Sequence, residues 1–136
     1  SLTEADRARL TLRDHAASET IAAPVELLSV AVGNALSNAF RHTAPDTPVR
    51  LEVLRFGGAV CFEVSDEGPG VATEELDRLT ERFWQNGPSG GSGLGLAIAT
   101  AIAEQFGGTI ELANRTPRGL RVRLHFPVCT HSPKSR

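Results

Sequence analysis

The chain has 136 residues, of which 40% are apolar and 22% charged, and it carries a formal net charge of -2. A chain of this size buries roughly two thirds of its unfolded surface, which suits one globular domain and excludes a disordered or collagen-like protein. Acidic and basic residues are interspersed, so no charged face for nucleic acid or an anionic membrane is expected. No apolar run approaches the roughly 18 residues of a membrane span. The two cysteines lack metal-binding spacing and favour a reduced, cytosolic setting.

Period-two alternation of apolar residues predicts the strands. In chain order they are 8–14, a short strand at 18–21, 49–53, 60–65, 109–114 and 120–128. In the first of them, Leu10 and Leu12 are expected on the buried side. A turn at Gly57 and Gly58 joins segments 49–53 and 60–65 into an antiparallel hairpin, and a turn in the RTPRG sequence joins segments 109–114 and 120–128 in the same way.

Helical periodicity appears in three stretches between these strands, at 24–42, 73–83 and 94–106. The residues of the third helix that are expected to face inward are Leu94, Ile98, Ala101 and Ile102. The order of elements predicts an α/β (α+β) two-layer sandwich, in which a mixed, largely antiparallel sheet is covered on one face by about three helices.

The long helix carries polar residues along one side. Asn38 follows Asn34 by four residues, and Arg41 and His42 follow Asn38 by three and four, so all of them share that side. A solvated polar stripe is one interpretation. Asparagine is, however, a poor helix former, and its amide oxygen is a hard, neutral ligand that suits Mg²⁺ when phosphates and water supply the other oxygens. Arg41 could contact a phosphate directly.

The DEGPG sequence places Asp66 at the end of a strand, ahead of Gly68 and Gly70. A strand-ending turn with a capping carboxylate is one interpretation. The functional one is more specific, because a fixed carboxylate accepts a hydrogen bond from the exocyclic amine of adenine and repels the carbonyl oxygen of guanine. Glycines without a Cβ would let the main chain approach the base.

The GGSGLGLAI sequence, with Gly91, Ser92, Gly93 and Gly95, leads from a loop into the third helix. It is either a flexible glycine linker or a phosphate cradle, because a helix start presents unpaired N–H groups and the positive end of the dipole to an anion. It lacks the Gly-Lys-Ser/Thr of a Walker A loop, and no single parallel strand feeds it as in a Rossmann fold.

Four segments in this order, NALSNAFRHT, DEGPG, ERFWQ and GGSGLGLAI, closely resemble four sequence boxes of a known domain. These are the N, G1, F and G2 boxes of the ATP-binding catalytic domain of bacterial sensor histidine kinases, which are members of the GHKL (Bergerat-fold) ATPase superfamily. The resemblance covers about residues 10–128. It implies an α/β sandwich that binds ATP and Mg²⁺ under a mobile lid.

The resemblance also implies roles for single residues. Asn38 would coordinate Mg²⁺, Asn34 and Arg41 would contact phosphate or metal, and all three would be catalytic residues. His42 would stand near the phosphates, where the family often has an aromatic residue, and Asp66 would read adenine. The other nucleotide-binding residues that it implies are Gly68, Gly70, Gly91, Ser92, Gly93, Leu94 and Gly95, with Arg82 and Phe83 anchoring a lid at 85–92.

One position separates branches of the superfamily. Topoisomerase and chaperone ATPases carry a glutamate one helical turn before the metal-binding asparagine, where it acts as general base for water. Here that position is Asn34, whose amide cannot take a proton, so delivery of the γ-phosphoryl group to an external nucleophile is expected instead. An anti-sigma-factor-type serine kinase of the same superfamily is the alternative, and ERFWQ together with GGSGLGLAI favours the histidine kinase.

Two further classes of protein fit these residues less well than a kinase. A non-catalytic nucleotide-binding module need not keep Asn38 and Arg41, and both are present. A structural interaction domain would have no use for so long a glycine-rich loop, which costs entropy to order.

The expected organisation is a linker or N-terminal end at 1–8, the catalytic domain at 9–128 and a disordered tail at 129–136. The partners that the resemblance implies are the parent's own dimerisation/phosphoacceptor histidine domain and, through it, a response regulator. No nucleic acid and no direct membrane contact are expected for this fragment. We expect a monomeric isolated domain in the cytoplasm, and a homodimeric parent anchored in the inner membrane.

Overall fold

The computed structural model describes residues 3–16, 20–80 and 95–129. The helices are α1 (Glu4–Arg9), α2 (Val25–Arg41) and α3 (Gly95–Gln105), with a 3-10 helix at Thr73–Thr80 before α3. The strands are β1 (Leu10–Asp14), β2 (Val49–Phe56), β3 (Ala59–Asp66), β4 (Thr109–Asn114) and β5 (Leu120–Pro127). Within these ranges no helix is both long enough and apolar enough to span a bilayer.

The strands form one sheet in the order β1-β2-β3-β5-β4. β1 pairs with β2 in parallel, and the other neighbours are antiparallel. The predicted mixed, largely antiparallel sheet is therefore confirmed. The register brings the end of β3 at Asp66 opposite the start of β2 at Val49, and the start of β5 at Leu120 opposite the end of β4 at Asn114.

The helices cover one face of this sheet. On that face the alternate residues of the central strands are apolar and fully buried, as at Val64, Leu124 and Phe126. α2 and α3 pack against them through alanines and leucines such as Ala35 and Leu96. Burial of this shared apolar surface drives the two layers together and fixes both helices over the sheet.

The other face of the sheet is polar. Register places Glu52, Glu63, Arg123 and Glu111 side by side across four strands. Glu63 is only 8% exposed and accepts a hydrogen bond from Arg123 Nε at 2.6 Å, so its charge is paired. Cys61 is fully buried in the same strand, and burial raises the pKa of its thiol to about 12, which keeps it protonated and structural.

Two expectations about side-chain orientation are wrong. In α3, Ile98 is 39% exposed and Ala101 is exposed, and the buried face is formed by Leu96, Ala99 and Ile102. Apolar residues occur on more than one side of this helix, so its sequence periodicity selects its buried face only weakly. In β1, Leu12 is 62% exposed, because β1 is an edge strand and only Leu10 of its two leucines packs against the core.

Several element boundaries also differ from expectation. The first strand begins at Leu10 rather than at residue 8, because Thr3 and Asp6 form a capping box that starts α1 just before it. Of the expected strand at 18–21, residues 18 and 19 lie outside the described ranges, and Ile21 makes a single antiparallel bridge to Val128. The expected helix at 73–83 is a 3-10 helix where it is described. Of the expected tail at 129–136, only Cys129 is described, and its N–H donates to Thr20 O at 2.6 Å.

Candidate functional site

The polar side of α2 faces the start of α3. Asn34 Nδ2 donates to the carbonyl of Val30 one turn earlier, at 2.9 Å, and this bond turns Oδ1 toward Gly95. A Cβ placed on Gly95 would lie 3.5 Å from that oxygen. The helix that carries the N box and the helix that begins within the G2 box therefore meet at Asn34 and Gly95, with an amide oxygen between them.

The last turn of α2 brings three further predicted residues together. Asn38 is half-buried, its main-chain carbonyl accepts the His42 N–H at 3.2 Å, and Arg41 is exposed. Burial and the neighbouring positive charge of Arg41 lower the pKa of His42, while the nearby Asp66 carboxylate opposes them. His42 is therefore held mainly as the neutral imidazole at neutral pH, between a cationic and an anionic side chain.

Asp66 is the most buried charged residue of the site, with 4% exposure. Its Oδ1 accepts two main-chain hydrogen bonds, from Gly68 N at 2.9 Å and from Leu120 N at 3.1 Å. In the part of the chain that the structure describes, both hydrogen bonds to this carboxylate end on Oδ1. The carboxylate is thus fixed in orientation, and Oδ2 is the oxygen left to accept a hydrogen bond from a ligand.

Two positions in the turn after Asp66, Gly68 and Gly70, do not tolerate a larger side chain. A Cβ on Gly68 would lie 2.8 Å from the carbonyl oxygen of His42 and 3.0 Å from Thr43 Cγ2. Gly70 has a φ of +75°, a conformation that other L residues rarely adopt. Gly68 lets the turn lie directly against the end of α2, which joins Asp66 to the polar side of that helix, and Gly70 lies against Asn114 and Gly119 of the β4–β5 hairpin.

Sequence reasoning missed the residues that hold this turn from the sheet side. Arg115 Nη1 donates to Asp66 O at 2.6 Å, and Arg118 Nε donates to Gly68 O at 3.1 Å. Asn114 exchanges two hydrogen bonds with the main chain of Val71. The partners are 43 to 50 residues apart in the chain, so only the strand register could have revealed them.

The described residues fit a magnesium nucleotide. The side chains of Asn34 and Asn38 supply neutral amide oxygens, which suit Mg²⁺ when phosphate oxygens provide the charge. Asn34 Oδ1 faces the start of α3, and helix N-termini in general suit a phosphate because their first N–H groups have no partner within the helix. At the other end of the candidate site, the fixed carboxylate of Asp66 can accept a hydrogen bond from an amino group of a base.

The structure thus groups eight of the fourteen residues that the sequence analysis named. They are Asn34, Asn38, Arg41, His42, Asp66, Gly68, Gly70 and Gly95. The other six lie outside the described residues: Arg82, Phe83, Gly91, Ser92, Gly93 and Leu94.

Comparison of the amino-acid sequence with known proteins identifies a family and several relatives. The profile of the family described as "Histidine kinase-, DNA gyrase B-, and HSP90-like ATPase" matches residues 24–130. The chain is 40% identical over 97 residues to the sensor histidine kinase GtrS of Pseudomonas aeruginosa, which covers 71% of this chain and 20% of that protein. It is 33% identical over 130 residues to the sensor-like histidine kinase SenX3 of Mycobacterium tuberculosis, with 91% of this chain and 32% of that protein covered. The chain therefore spans about a fifth to a third of the length of these relatives.

Solved structures of histidine kinases also align with this chain. The mycobacterial sensor histidine kinase MprB aligns with a TM-score of 0.74 at 26% identity, covering 90% of this chain and 84% of that one. Full-length ShkA, in a complex with AMPPNP, aligns with a TM-score of 0.78 at 29% identity, covering 91% of this chain and 26% of that one. The resemblance to the catalytic domains of sensor histidine kinases is confirmed, and the chain belongs to the family of histidine kinase-, DNA gyrase B- and HSP90-like ATPases.

Proposed function

We propose that this chain binds Mg-ATP and donates its γ-phosphoryl group to a histidine on a separate dimerisation/phosphoacceptor domain, in two-component signal transduction. The observation that carries the proposal is the carboxylate of Asp66, which is 4% exposed and oriented by two main-chain N–H groups on Oδ1. In this proposal its Oδ2 accepts a hydrogen bond from the exocyclic amine of adenine, and a guanine carbonyl at the same place would be repelled.

The polar side of α2 would serve the phosphates. Asn38 is the proposed Mg²⁺ ligand, and the metal when bound would offset the negative charge of the phosphates. Asn34 and Arg41 are proposed to contact the phosphates or the metal, and the neutral form of His42 would add no charge beside them. Gly91, Ser92, Gly93 and Leu94 belong to the proposed phosphate-binding segment that leads into α3, and Arg82 and Phe83 to its lid.

The identity of residue 34 supports a kinase rather than a hydrolase. Its amide cannot accept a proton, and its Nδ2 is already bonded to Val30 O, so it cannot act as general base for water. In the proposed reaction an imidazole nitrogen bonds to the γ-phosphorus as the bond to the β–γ bridging oxygen breaks, and ADP leaves with that electron pair. The protein would contribute positioning and electrostatic stabilisation.

The related proteins add support for the partners. GtrS and SenX3 are sensor histidine kinases, and the ShkA structure is a complex with AMPPNP. We therefore propose, for the longer protein of which such a domain is a part, a phosphoacceptor histidine domain, a homodimer and a response regulator as partners. The proposed domain spans 9–128, between a linker at 1–8 and a tail at 129–136, and it works on the cytoplasmic side of a membrane-anchored parent.

Incubation with γ-labelled ATP and Mg²⁺ tests this function. Three of the four histidines are described and lie in positions unlike an acceptor: His15 follows β1, His42 borders the site and His125 lies in β5, while His131 lies outside the described residues. We expect the chain alone to stay unlabelled and a histidine-bearing acceptor domain from the same protein to gain acid-labile phosphate. Acid-stable label on a serine of a partner would instead indicate the anti-sigma-type kinase, and acid-labile label on this chain alone would contradict the proposal.

A further inference from the structure

The tip of the β4–β5 hairpin holds the turn that follows Asp66. We call residues 66–71 the base loop, because the proposed function places adenine against it. Arg115 Nη1 bonds to the first carbonyl of the base loop, on Asp66, and Arg118 Nε bonds to the carbonyl of Gly68. Both bonds reach main-chain atoms, so they fix the path of the loop whatever side chains it carries.

Asn114, the last residue of β4, holds the far end of the base loop. The N–H of Val71 donates to Asn114 Oδ1 at 2.9 Å, and Asn114 Nδ2 donates to the carbonyl of Val71 at 2.6 Å. A side-chain amide has N–H donors and a carbonyl acceptor, as a peptide group has one of each, so this reciprocal pair replaces a strand partner for Val71. Aspartate can supply only the acceptor, and alanine neither.

The same amide also packs against the main chain of the loop. A Cβ on Gly70 would lie 2.6 Å from Asn114 Oδ1, closer than carbon and oxygen can approach. Asn114 itself is exposed and lies outside the apolar core, so its contacts order the loop rather than the sheet. A preordered loop loses less conformational freedom when a ligand binds.

We propose that Asn114 is a positioning residue for the nucleobase, acting through Val71 and Gly70, and that Arg118 has the same role through Gly68. The inference rests on the proposed function, because it presupposes that the base loop receives adenine. It places part of the determinants of nucleotide affinity on the β4–β5 hairpin, outside the helices and loops that carry the four sequence boxes.

Titration of ATP and of ADP into Asn114→Ala tests this inference. Arg13→Ala is the control, because Arg13 is an exposed residue of β1 at the opposite edge of the sheet. We expect Asn114→Ala to raise Kd roughly threefold to tenfold. The factor should be the same for ATP and ADP, since the base loop does not meet the γ-phosphate. Arg13→Ala should leave both values unchanged.

Amide exchange in the nucleotide-free protein provides a second readout. Asn114→Asp keeps an acceptor for the Val71 N–H but loses the donor to the Val71 carbonyl. Exchange of the Val71 amide should therefore stay slow in Asn114→Asp and become faster in Asn114→Ala. Equal exchange rates in the unsubstituted chain and in Asn114→Ala would overturn the inference, because the bond would then contribute nothing to loop order.

The outcomes separate the two proposals. If the unsubstituted chain binds no ATP, the proposed function fails and the inference fails with it. If it binds ATP and Asn114→Ala binds equally well, or loses affinity for ATP but not for ADP, only the inference is overturned. Should Asn114→Ala not fold, Arg118→Ala carries the test, because Arg118 is exposed. We expect an equal rise of both Kd values there too, and no change would overturn the inference.

Discussion

The guanidinium of Arg9 lies 5.1 Å from the centre of the Phe40 ring, so the last residue of α1 packs on the C-terminal part of α2. The same side chain donates from Nε to Thr47 O at 2.8 Å and from Nη2 to the hydroxyls of Thr43 and Thr47. Only 11% of it is exposed. Arg9 therefore attaches α1 to the connection between α2 and β2, beside the candidate site.

Arg9→Ala should lower the free energy of unfolding by roughly 2 to 4 kcal/mol, because it removes charge-assisted hydrogen bonds and a cation–π contact. Arg9→Lys should recover only part of this loss, since an ammonium group lacks the planar fork of donors. Denaturant unfolding measures both values. Arg7→Ala is the matched control: Arg7 is exposed on the same helix, so its substitution should change stability by less than about 0.5 kcal/mol. Similar losses at both positions would contradict the assignment.

Asp66→Asn should weaken ATP binding without unfolding the domain. The amide oxygen of asparagine can still accept the N–H groups of Gly68 and Leu120, which the structure places on Oδ1. The second oxygen becomes an NH₂ donor that cannot accept from adenine, at a cost of roughly 1.5 to 3 kcal/mol, or about tenfold to 150-fold in Kd. Calorimetric titration with ATP and GTP measures this. Glu67→Gln, at the exposed neighbouring carboxylate, should bind ATP normally. Equal affinities for Asp66→Asn and the unsubstituted chain would remove Asp66 as the base selector.

The imidazole of His42 should titrate below its ordinary value of 6.5, because burial and then Arg41 lower its pKa while Asp66 raises it. Folding therefore disfavours the protonated form, and the resulting loss of stability sets in as the pH falls from 6.5 toward the lower folded-state pKa. NMR titration of the ring protons reports the pKa directly. Asp66→Asn should lower it further and Arg41→Ala should raise it. The opposite directions would show that His42 responds to other neighbours.

The predictability of this fold from sequence depended on local pattern. Alternation placed the strands of both hairpins close to their observed ends, and the long helix was expected at 24–42 against an observed Val25–Arg41. The orientation of α3 was not predictable in this way, since apolar residues occur on more than one side of that helix and its buried face is chosen by contact with α2 and the sheet. The exposure of Leu12 likewise follows from strand order, which alternation does not encode.

In the candidate site, too, the residues of a local sequence pattern were predictable and the residues brought in by strand pairing were not. Asp66, Gly68 and Gly70 were identifiable because a carboxylate and two glycines occur within one short turn. Asn114 and Arg118 were not, because an asparagine or an arginine in a hairpin has no distinctive local pattern. Their partners at Val71 and Gly68 become neighbours only through the pairing of β5 with β3 and β4.

Asn38→Ala should abolish the effect of Mg²⁺ on nucleotide binding and leave the fold intact. Asn38 is half-buried, and in the described part of the chain its side chain takes part in no hydrogen bond, so alanine, the better helix former, should not destabilise α2. ATP titrations with Mg²⁺ and with a chelator should give different Kd values for the unsubstituted chain and the same value for Asn38→Ala. Ser37→Ala, at the half-buried neighbour on the same helix, should retain the difference. The thermal unfolding transition of Asn38→Ala should be measured alongside. If the variant has no transition, Asn38 is required for the fold. If the variant folds and its ATP binding still responds to Mg²⁺, the metal has another ligand.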